Sequence, residues 1–272
     1  MIQDIYPSRL DNSYIKSIPK EDDVIFVFDD EGKVLADMSK GSLEFTRASD
    51  TGTVSFVYLF AVDDRRYFLK TDKSDAGIPG FEPFSIRQLR DNSSGAELFA
   101  AFTGYHLWKW YSDNRYCGIC AGRLEPDDKE RALRCPKCNN IIYPRINPAV
   151  IVGVINGDSI LITRYRKGYA HNALIAGFCE IGETLEETVA REVMEEAHVS
   201  VTNIRYYKSQ PWGMAQDLLV GFYCDVTGDT TIRMDDNELK YAKWTRREDI
   251  ELQPGNASLT NEMMRMFKEN RI

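Results

Sequence analysis

The spacing of apolar and polar positions divides the chain into a strand-rich first part, a short polar middle and a mixed last part. VIFVF at 24–28 and KVLA at 33–36, separated by DDEG, predict a hairpin with a glycine-containing turn. TVSFVYLFAV, beginning at Thr53, and YFLK, separated by DDRR, predict a second one, so the first hundred residues read as an antiparallel sheet. After Ser94, which suits an N-cap, AELFAAFTGYHLWKWYSDN keeps helical spacing without a proline. From Ile146 the runs NPAVIVGVIN, SILITRY and NALIAG predict short strands. Residues 184–198 predict a long acidic helix, YYKSQ and LLVGFYCDV two further strands, and SLTNEMMRMFKEN a closing helix. The class is α+β.

One stretch breaks the pattern. SQPWGMAQD, from Ser209 to Asp217, is a poor strand and cannot be a helix interior, because Pro211 removes a donor and Gly213 loosens the backbone. Two readings are open. Trp212 tucks into the core from a turn, or the stretch is a recognition loop that offers a flat ring to a flat ligand.

Composition narrows the classes. The length of 272 residues allows one large domain or two ordinary ones with something small, and 43% apolar content indicates packed structure. No window approaches 18 consecutive apolar residues, and the start lacks the apolar core of a secretory signal, so a cytoplasmic location is expected. Acidic residues outnumber basic ones 42 to 34, a formal charge of −8. That balance disfavours a protein gripping nucleic acid through its phosphates, since such affinity comes from counterion release. A local basic patch of Arg131, Arg134, Lys137 and Arg145 can still guide one end of a strand.

Four of the six cysteines form two pairs, Cys117/Cys120 and Cys135/Cys138, with fourteen residues between the pairs. Two such knuckles can set four thiolates at the corners of a tetrahedron around one structural Zn²⁺. The intervening AGRLEPDDKERALR is too polar to pack by itself, which suits a ribbon held by metal. The competing reading is a pair of redox dithiols.

The acidic helix carries the chemistry. Thr184 and Glu187 form a capping box, which starts the helix at Leu185. Glu192, Glu195 and Glu196 then stand at i, i+3 and i+4 on one face. Like charges so placed repel, and a hard divalent cation, Mg²⁺ or Mn²⁺, resolves the repulsion. The bland alternative is a solvated acidic face. Against it stand Arg191 within the cluster and the opposite apolar stripe of Leu185, Val189 and Val193.

The order Gly177, five residues, Glu183, seven residues, then Arg191-Glu192-Val193-x-Glu195-Glu196 resembles the Nudix box. One position departs: His198 stands where the box has a glycine just past the helix, so local strain is expected there without loss of ligands. Together with the cysteine ribbon before it and SQPW after it, the chain resembles the NADH pyrophosphatase family, also known for removing NAD caps from RNA. The resemblance implies an N-terminal mixed sheet-and-helix domain (1–112), a zinc ribbon (113–145) and an α/β/α Nudix sandwich (146–272).

It also implies roles. The family carries SQPWPFPxS as a dinucleotide-holding loop. Here Gln210, Pro211 and Trp212 are retained, while Gly213, Met214, Ala215, Gln216 and Asp217 follow, which predicts a more flexible and less aromatic second half. Tyr143 matches a substrate-contacting tyrosine, and Thr260 stands where the family has a substrate-contacting alanine; plain packing is the other reading of both. Ala176 matches a residue whose carbonyl binds metal, and Glu238 a further metal-binding glutamate. The implied reaction is metal-dependent hydrolysis of NAD(H) to AMP and the nicotinamide mononucleotide, with Glu195 or Glu196 as general base and the protein a homodimer. Cys179 and Cys224 read as core thiols, and Arg191 as a brace for Glu183. Rival readings are ADP-ribose or a dinucleoside polyphosphate as substrate, or a non-catalytic sensor of NAD or RNA.

Overall fold

A computed structural model describes residues 1–52, 55–72, 77–166 and 171–272. The chain forms two compact units, one of residues 2–145 with 213–216, the other of Met1, 146–212 and 217–272.

In the first unit the chain runs β1 (Leu10–Asp11), β2 (Val24–Phe26), β3 (Val34–Asp37), β4 (Glu44–Phe45), α1 (Ala48–Thr51), β5 (Phe56–Val62), β6 (Arg65–Lys70) and β7 (Glu82–Phe84). The β5–β6 hairpin forms as expected, its turn at Asp63 and Asp64; Thr53 and Val54, the first positions of the expected strand, lie outside the described residues. The other expected hairpin does not form as such. Asp29 makes its turn, accepting from the N–H groups of Glu31 and Lys33 at 2.9 and 2.8 Å. The two arms then part. β2, buried at every position, joins β6 in parallel, while β3 pairs with β4 and β7, leaving one bridge, Phe28 to Val34. A strand apolar on both faces needs cover on both sides, and its hairpin partner cannot supply that. The first hundred residues are therefore not purely antiparallel.

Two helices follow, α2 (Ile86–Asn92) and α3 (Ala96–Asp113). Strand patterning missed α2, although Ser85 and Gln88 form a reciprocal capping box. The cap of α3 is Gly95 (φ +81°), one residue beyond the expected Ser94. The unit closes with a small antiparallel sheet, β8 (Glu125–Pro126), β9 (Leu133–Arg134) and β10 (Ile141–Ile142), in the order β10–β9–β8.

The second unit contains β11 (Asn147–Asn156), β12 (Ser159–Tyr165), β13 (Ile175–Phe178), α4 (Leu185–Ala197), β14 (Ser200–Trp212), β15 (Asp217–Thr227), β16 (Leu239–Arg246) and α5 (Leu259–Lys268). The sheet order is β14–β15–β11–β12–β16, with β13 also paired to β11. β11 and β15 are parallel and the other pairs antiparallel. Alternation along β11 explains its unbroken apolar run. Val150, Val152 and Val154 pack with Val189 and Val193 of α4, whereas Ile151 packs with Leu259, Met263 and Phe267 of α5. A helix on each face makes this an α/β/α sandwich. No helix among the described residues is long and apolar enough to cross a membrane.

Candidate active site and metal centre

The helix α4 begins at Leu185, with Thr184 Oγ1 accepting from the N–H of Glu187 at 3.2 Å and Glu187 accepting from the N–H of Thr184 at 2.7 Å. Its stripe of Val189, Val193 and Ala197 is buried in the sheet. The opposite edge, with Glu192, Glu195 and Glu196, lines a cavity of about 480 Å³ completed by His198, Asp235 and Glu238.

The three box glutamates differ in surroundings. Glu195 is exposed, Glu192 half-buried, and Glu196 only 2% exposed, because it borders Val193 and Ala197 at the core margin. Burial pushes the Glu196 carboxyl up to about 8; the charges of Glu238 and Glu192 add to this, while the Tyr165 hydroxyl and the Ala176 N–H oppose it. Burial also raises Glu192, against the pull of Arg191.

Arg191 organises the loop leading into the helix. Its Nε and Nη2 donate to the two oxygens of Glu183 at 2.6 and 2.9 Å, its Nη2 also to the Phe178 carbonyl at 2.9 Å, and its Nη1 to Glu192 at 2.7 Å. The guanidinium holds the Glu183 carboxyl down to about 2. The glycine of β13 has a steric reason: a Cβ on Gly177 would meet the Glu192 carboxyl at 1.9 Å. Bare backbone there makes room for the glutamate.

His198 caps the helix in the left-handed region, at φ +55° and ψ +36°, as its place past the helix end requires. The carbonyls of Glu196 and Ala197 are satisfied by the N–H groups of Asp235 and Arg233, both at 3.0 Å. That docking brings Asp235 and Glu238 to the cavity. Asp235, His198 and Tyr165 were not found by sequence reasoning; each is remote from the acidic face or absent from the motif, and only the His198 departure gave a signal.

Ala176 lies half-buried on β13, its N–H donating to Tyr165 Oη at 3.1 Å. Thr260 is half-buried in the first turn of α5. Tyr143 belongs to the other unit, exposed beside the ribbon, its hydroxyl donating to Glu130 at 2.9 Å.

The stretch that broke the pattern is largely strand. β14 runs through Pro211 to Trp212, in register with Leu218 and Asp217, and only 213–216 form the tip. β14 is an edge strand, where a proline need not interrupt the ladder. Gln210 is fully buried, donating to the Ala257 carbonyl and accepting from the Leu259 N–H, both at 2.8 Å, so its amide latches the start of α5. The tip is held by contacts at both of its ends. Gly213 is buried where a Cβ would meet the Phe102 carbonyl oxygen at 2.0 Å, and Gln216 accepts from Arg145 Nη2 at 2.5 Å. Asp217 is buried too, accepting from Asn147 at 3.5 Å, and so does not project as a repelling charge. Trp212 and Met214 are half-buried, Pro211 and Ala215 exposed.

Other expectations shift. Arg134 is paired with Asp127 at 2.6 Å, Arg131 donates to the Asn12 carbonyl at 3.1 Å, and Arg145 holds Gln216, so three members of the anticipated basic patch are committed within their own unit. Cys224 is a core thiol, but Cys179 is half-buried, its thiol directed at the carbonyls of Glu180 and Glu183.

The sulfurs of Cys117, Cys120, Cys135 and Cys138 all lie within 4.8 Å of one another. Cys117···Cys138 is 3.6 Å, while Cys120···Cys135 and Cys120···Cys138 are 3.4 Å. Zn–S bonds of about 2.3 Å set sulfurs about 3.8 Å apart, so the cradle fits zinc. The two knuckles repeat one geometry. Ala121 and Asn139, each just after the second cysteine, are left-handed and donate to the carbonyls of Cys117 and Cys135 at 2.9 and 2.8 Å. The N–H of Ile119 directed at Cys117 Sγ pulls that thiol down to about 6. The box carboxylates are more dispersed: among the described residues only the cysteines form a cluster that tight.

Comparison with known proteins agrees with this geometry. Residues 145–267 match the NUDIX domain model and residues 112–143 the NADH pyrophosphatase zinc ribbon domain model. The chain therefore carries a Nudix domain preceded by a zinc ribbon of the NADH pyrophosphatase type. It is 42% identical over 174 residues to the NAD-capped RNA hydrolase NudC of Shigella dysenteriae, covering 62% of this chain and 66% of that protein. To the NudC of Escherichia coli it is 41% identical over the same length and shares. The chain thus spans just under two thirds of the relatives it matches. A Nudix hydrolase structure from Nitrosomonas europaea superposes with a TM-score of 0.50 at 21% identity, covering 57% of this chain and 91% of that one, which supports the Nudix fold. For this chain the ribbon with its four thiols makes zinc the structural metal, and the Nudix domain makes Mg²⁺ or Mn²⁺ the cation of the carboxylate site.

Proposed function

We propose that this Nudix protein hydrolyses the pyrophosphate bond of NAD(H), releasing AMP and the nicotinamide mononucleotide, and removes NAD caps from RNA 5′ ends. The observation carrying the reading is the intact carboxylate set of the box around one cavity in a chain that also holds a four-thiol ribbon and is 42% identical over 174 residues to a protein named NAD-capped RNA hydrolase NudC. A sensor would have no use for a buried glutamate facing two further acidic groups.

The donor set fits a hard cation: Glu192, Glu195, Glu196 and Glu238, with the carbonyl of Ala176, would hold Mg²⁺ or Mn²⁺. When bound, the cation neutralises the pyrophosphate oxygens and acidifies a water. The chain itself positions the parts. Arg191 keeps the 177–183 loop closed on Glu183, Gly177 lets Glu192 face the cavity, and the segment 233–238 presents Glu238. Water attacks one phosphorus in line, and its proton passes to a carboxylate. Glu195 or Glu196, both at the cavity, takes that role. A cytoplasmic location and a homodimeric state belong to the same proposal.

The test is a substrate panel with Mn²⁺ or Mg²⁺: NADH, NAD⁺, ADP-ribose, a diadenosine polyphosphate and NAD-capped RNA, with products separated by chromatography and light scattering for the dimer. Fastest release of AMP and the nicotinamide mononucleotide from NADH, or of the nicotinamide mononucleotide from capped RNA with a 5′-monophosphate left on the RNA, abolished in Glu196→Gln, supports the reading. The commitment of Gln210 and the pinned tip at Gly213 and Gln216 give the ADP-ribose and dinucleoside polyphosphate rivals their one foothold. Preference for either would transfer the function to that class, and no cleavage at all would leave a sensor.

A further inference from the structure

We infer that Tyr165 is a positioning residue of this site, its hydroxyl fixing the carboxylate of Glu196 and the backbone of Ala176 in one arrangement; the inference rests on the metal-dependent reading above. Period-two alternation places Leu161, Thr163 and Tyr165 on the face of β12 that packs toward α4, with Leu161 in the same core cluster as Val189 and Val193. Pairing with the neighbouring strand is irregular at this end. Arg164 pairs with Tyr241 and Tyr165 with Leu239, so Lys240 on β16 is an extra residue and the register shifts at this point. Such irregularities bend a strand and redirect a side chain.

The consequence is local and double. The Tyr165 oxygen lies 3.1 and 3.2 Å from the two oxygens of Glu196, and it accepts from the Ala176 N–H at 3.1 Å. One proton is available to the hydroxyl, and the carboxylate is the stronger acceptor within reach, because the Ala176 carbonyl is at 3.5 Å. The result is a directed chain, Ala176 N–H to Tyr165 O–H to Glu196, joining two residues assigned to the cation. The next residue extends the same support to a third, since the Arg166 N–H donates to the Glu238 carbonyl at 2.9 Å. A half-buried phenol offered to a carboxylate that is itself 2% exposed leaves Glu196 little freedom to rotate from the cavity. Partners of metal ligands typically change metal affinity about 10–100-fold when removed.

The test is Mn²⁺ binding to the full-length, zinc-loaded chain without substrate, followed by electron paramagnetic resonance, for wild type, Tyr165→Phe, Glu196→Gln and the double variant. The Glu196-dependent site should weaken about tenfold in Tyr165→Phe. The double variant should bind no worse than Glu196→Gln, because the tyrosine acts through that carboxylate. In steady-state assays kcat should fall with KM for the dinucleotide nearly unchanged. Circular dichroism and zinc content matching wild type exclude simple misfolding. Tyr165→Phe with wild-type Mn²⁺ affinity, or effects that add in the double variant, overturns the inference while leaving the enzyme reading intact. Absence of any Glu196-dependent Mn²⁺ binding in the wild type overturns that reading instead.

Discussion

Replacing Glu196 by Gln should stabilise the protein when no divalent cation is present, while abolishing hydrolysis. The folded chain holds this carboxyl at about 8, against an ordinary value of 4.5. Where the folded form retains a proton that the unfolded chain has released, stability falls as pH rises. The loss begins above 4.5 and levels off beyond about 8. Linkage makes each pH unit in that window worth at most about 1.4 kcal/mol. Between pH 6 and 8 the wild type should therefore lose about 2 kcal/mol relative to Glu196→Gln, which has no charge there to desolvate. The comparison is the difference between two melting curves at each pH, in buffer free of Mg²⁺ and Mn²⁺. Other titrating groups, such as Glu183 and the ribbon thiols, are common to both proteins and cancel. Adding Mn²⁺ should restore the wild type by mass action and raise the variant less, since the variant binds the cation more weakly. Parallel pH profiles for the two proteins would refute the account of Glu196 as a carboxylate whose burial only a cation makes tolerable.

The remaining predictions concern supports of the site and the ribbon. Gly213→Ala drives a Cβ to 2.0 Å from the Phe102 carbonyl oxygen and should cost about 1–3 kcal/mol in urea unfolding; an unchanged midpoint denies the close approach. Gln210→Leu leaves the buried Leu259 N–H and Ala257 carbonyl unpaired and should destabilise by roughly 1–3 kcal/mol for each group, read in the same experiment. Arg191→Lys keeps the charge but loses the two-pronged grip on Glu183, so kcat/KM should drop at least about tenfold, and retention of full activity would show that the fork is dispensable. Cys135→Ser should reduce bound zinc below one per chain by atomic absorption and expose residues 121–134 to protease; full zinc content with wild-type resistance would count against a structural metal.

Much of the site was legible in the chain because its spacing rules are short-ranged. A helical period alone places Glu192, Glu195 and Glu196 on one face, a capping box alone starts α4 at Leu185, and two CxxC pairs alone call for a tetrahedral metal. Turn chemistry at Asp29 and Asp63 was equally local. Partner choice was not. Whether β2 pairs with β3 or with β6 depends on which surface covers its second face, and that surface comes from residues about forty positions away. The same holds for the cavity. Tyr165 meets Glu196 across 31 positions of chain, and Asp235 lines the cavity because the N–H groups of Arg233 and Asp235 dock onto the helix end. The burial that makes Glu196 unlike Glu195, one residue away, arises from the sheet beneath it rather than from either side chain. The types and intervals of the reactive groups are thus properties of the sequence, whereas their proton affinities, their supports and the contacts that hold the Gly213–Gln216 tip are properties of packing, which brings distant groups together and excludes water.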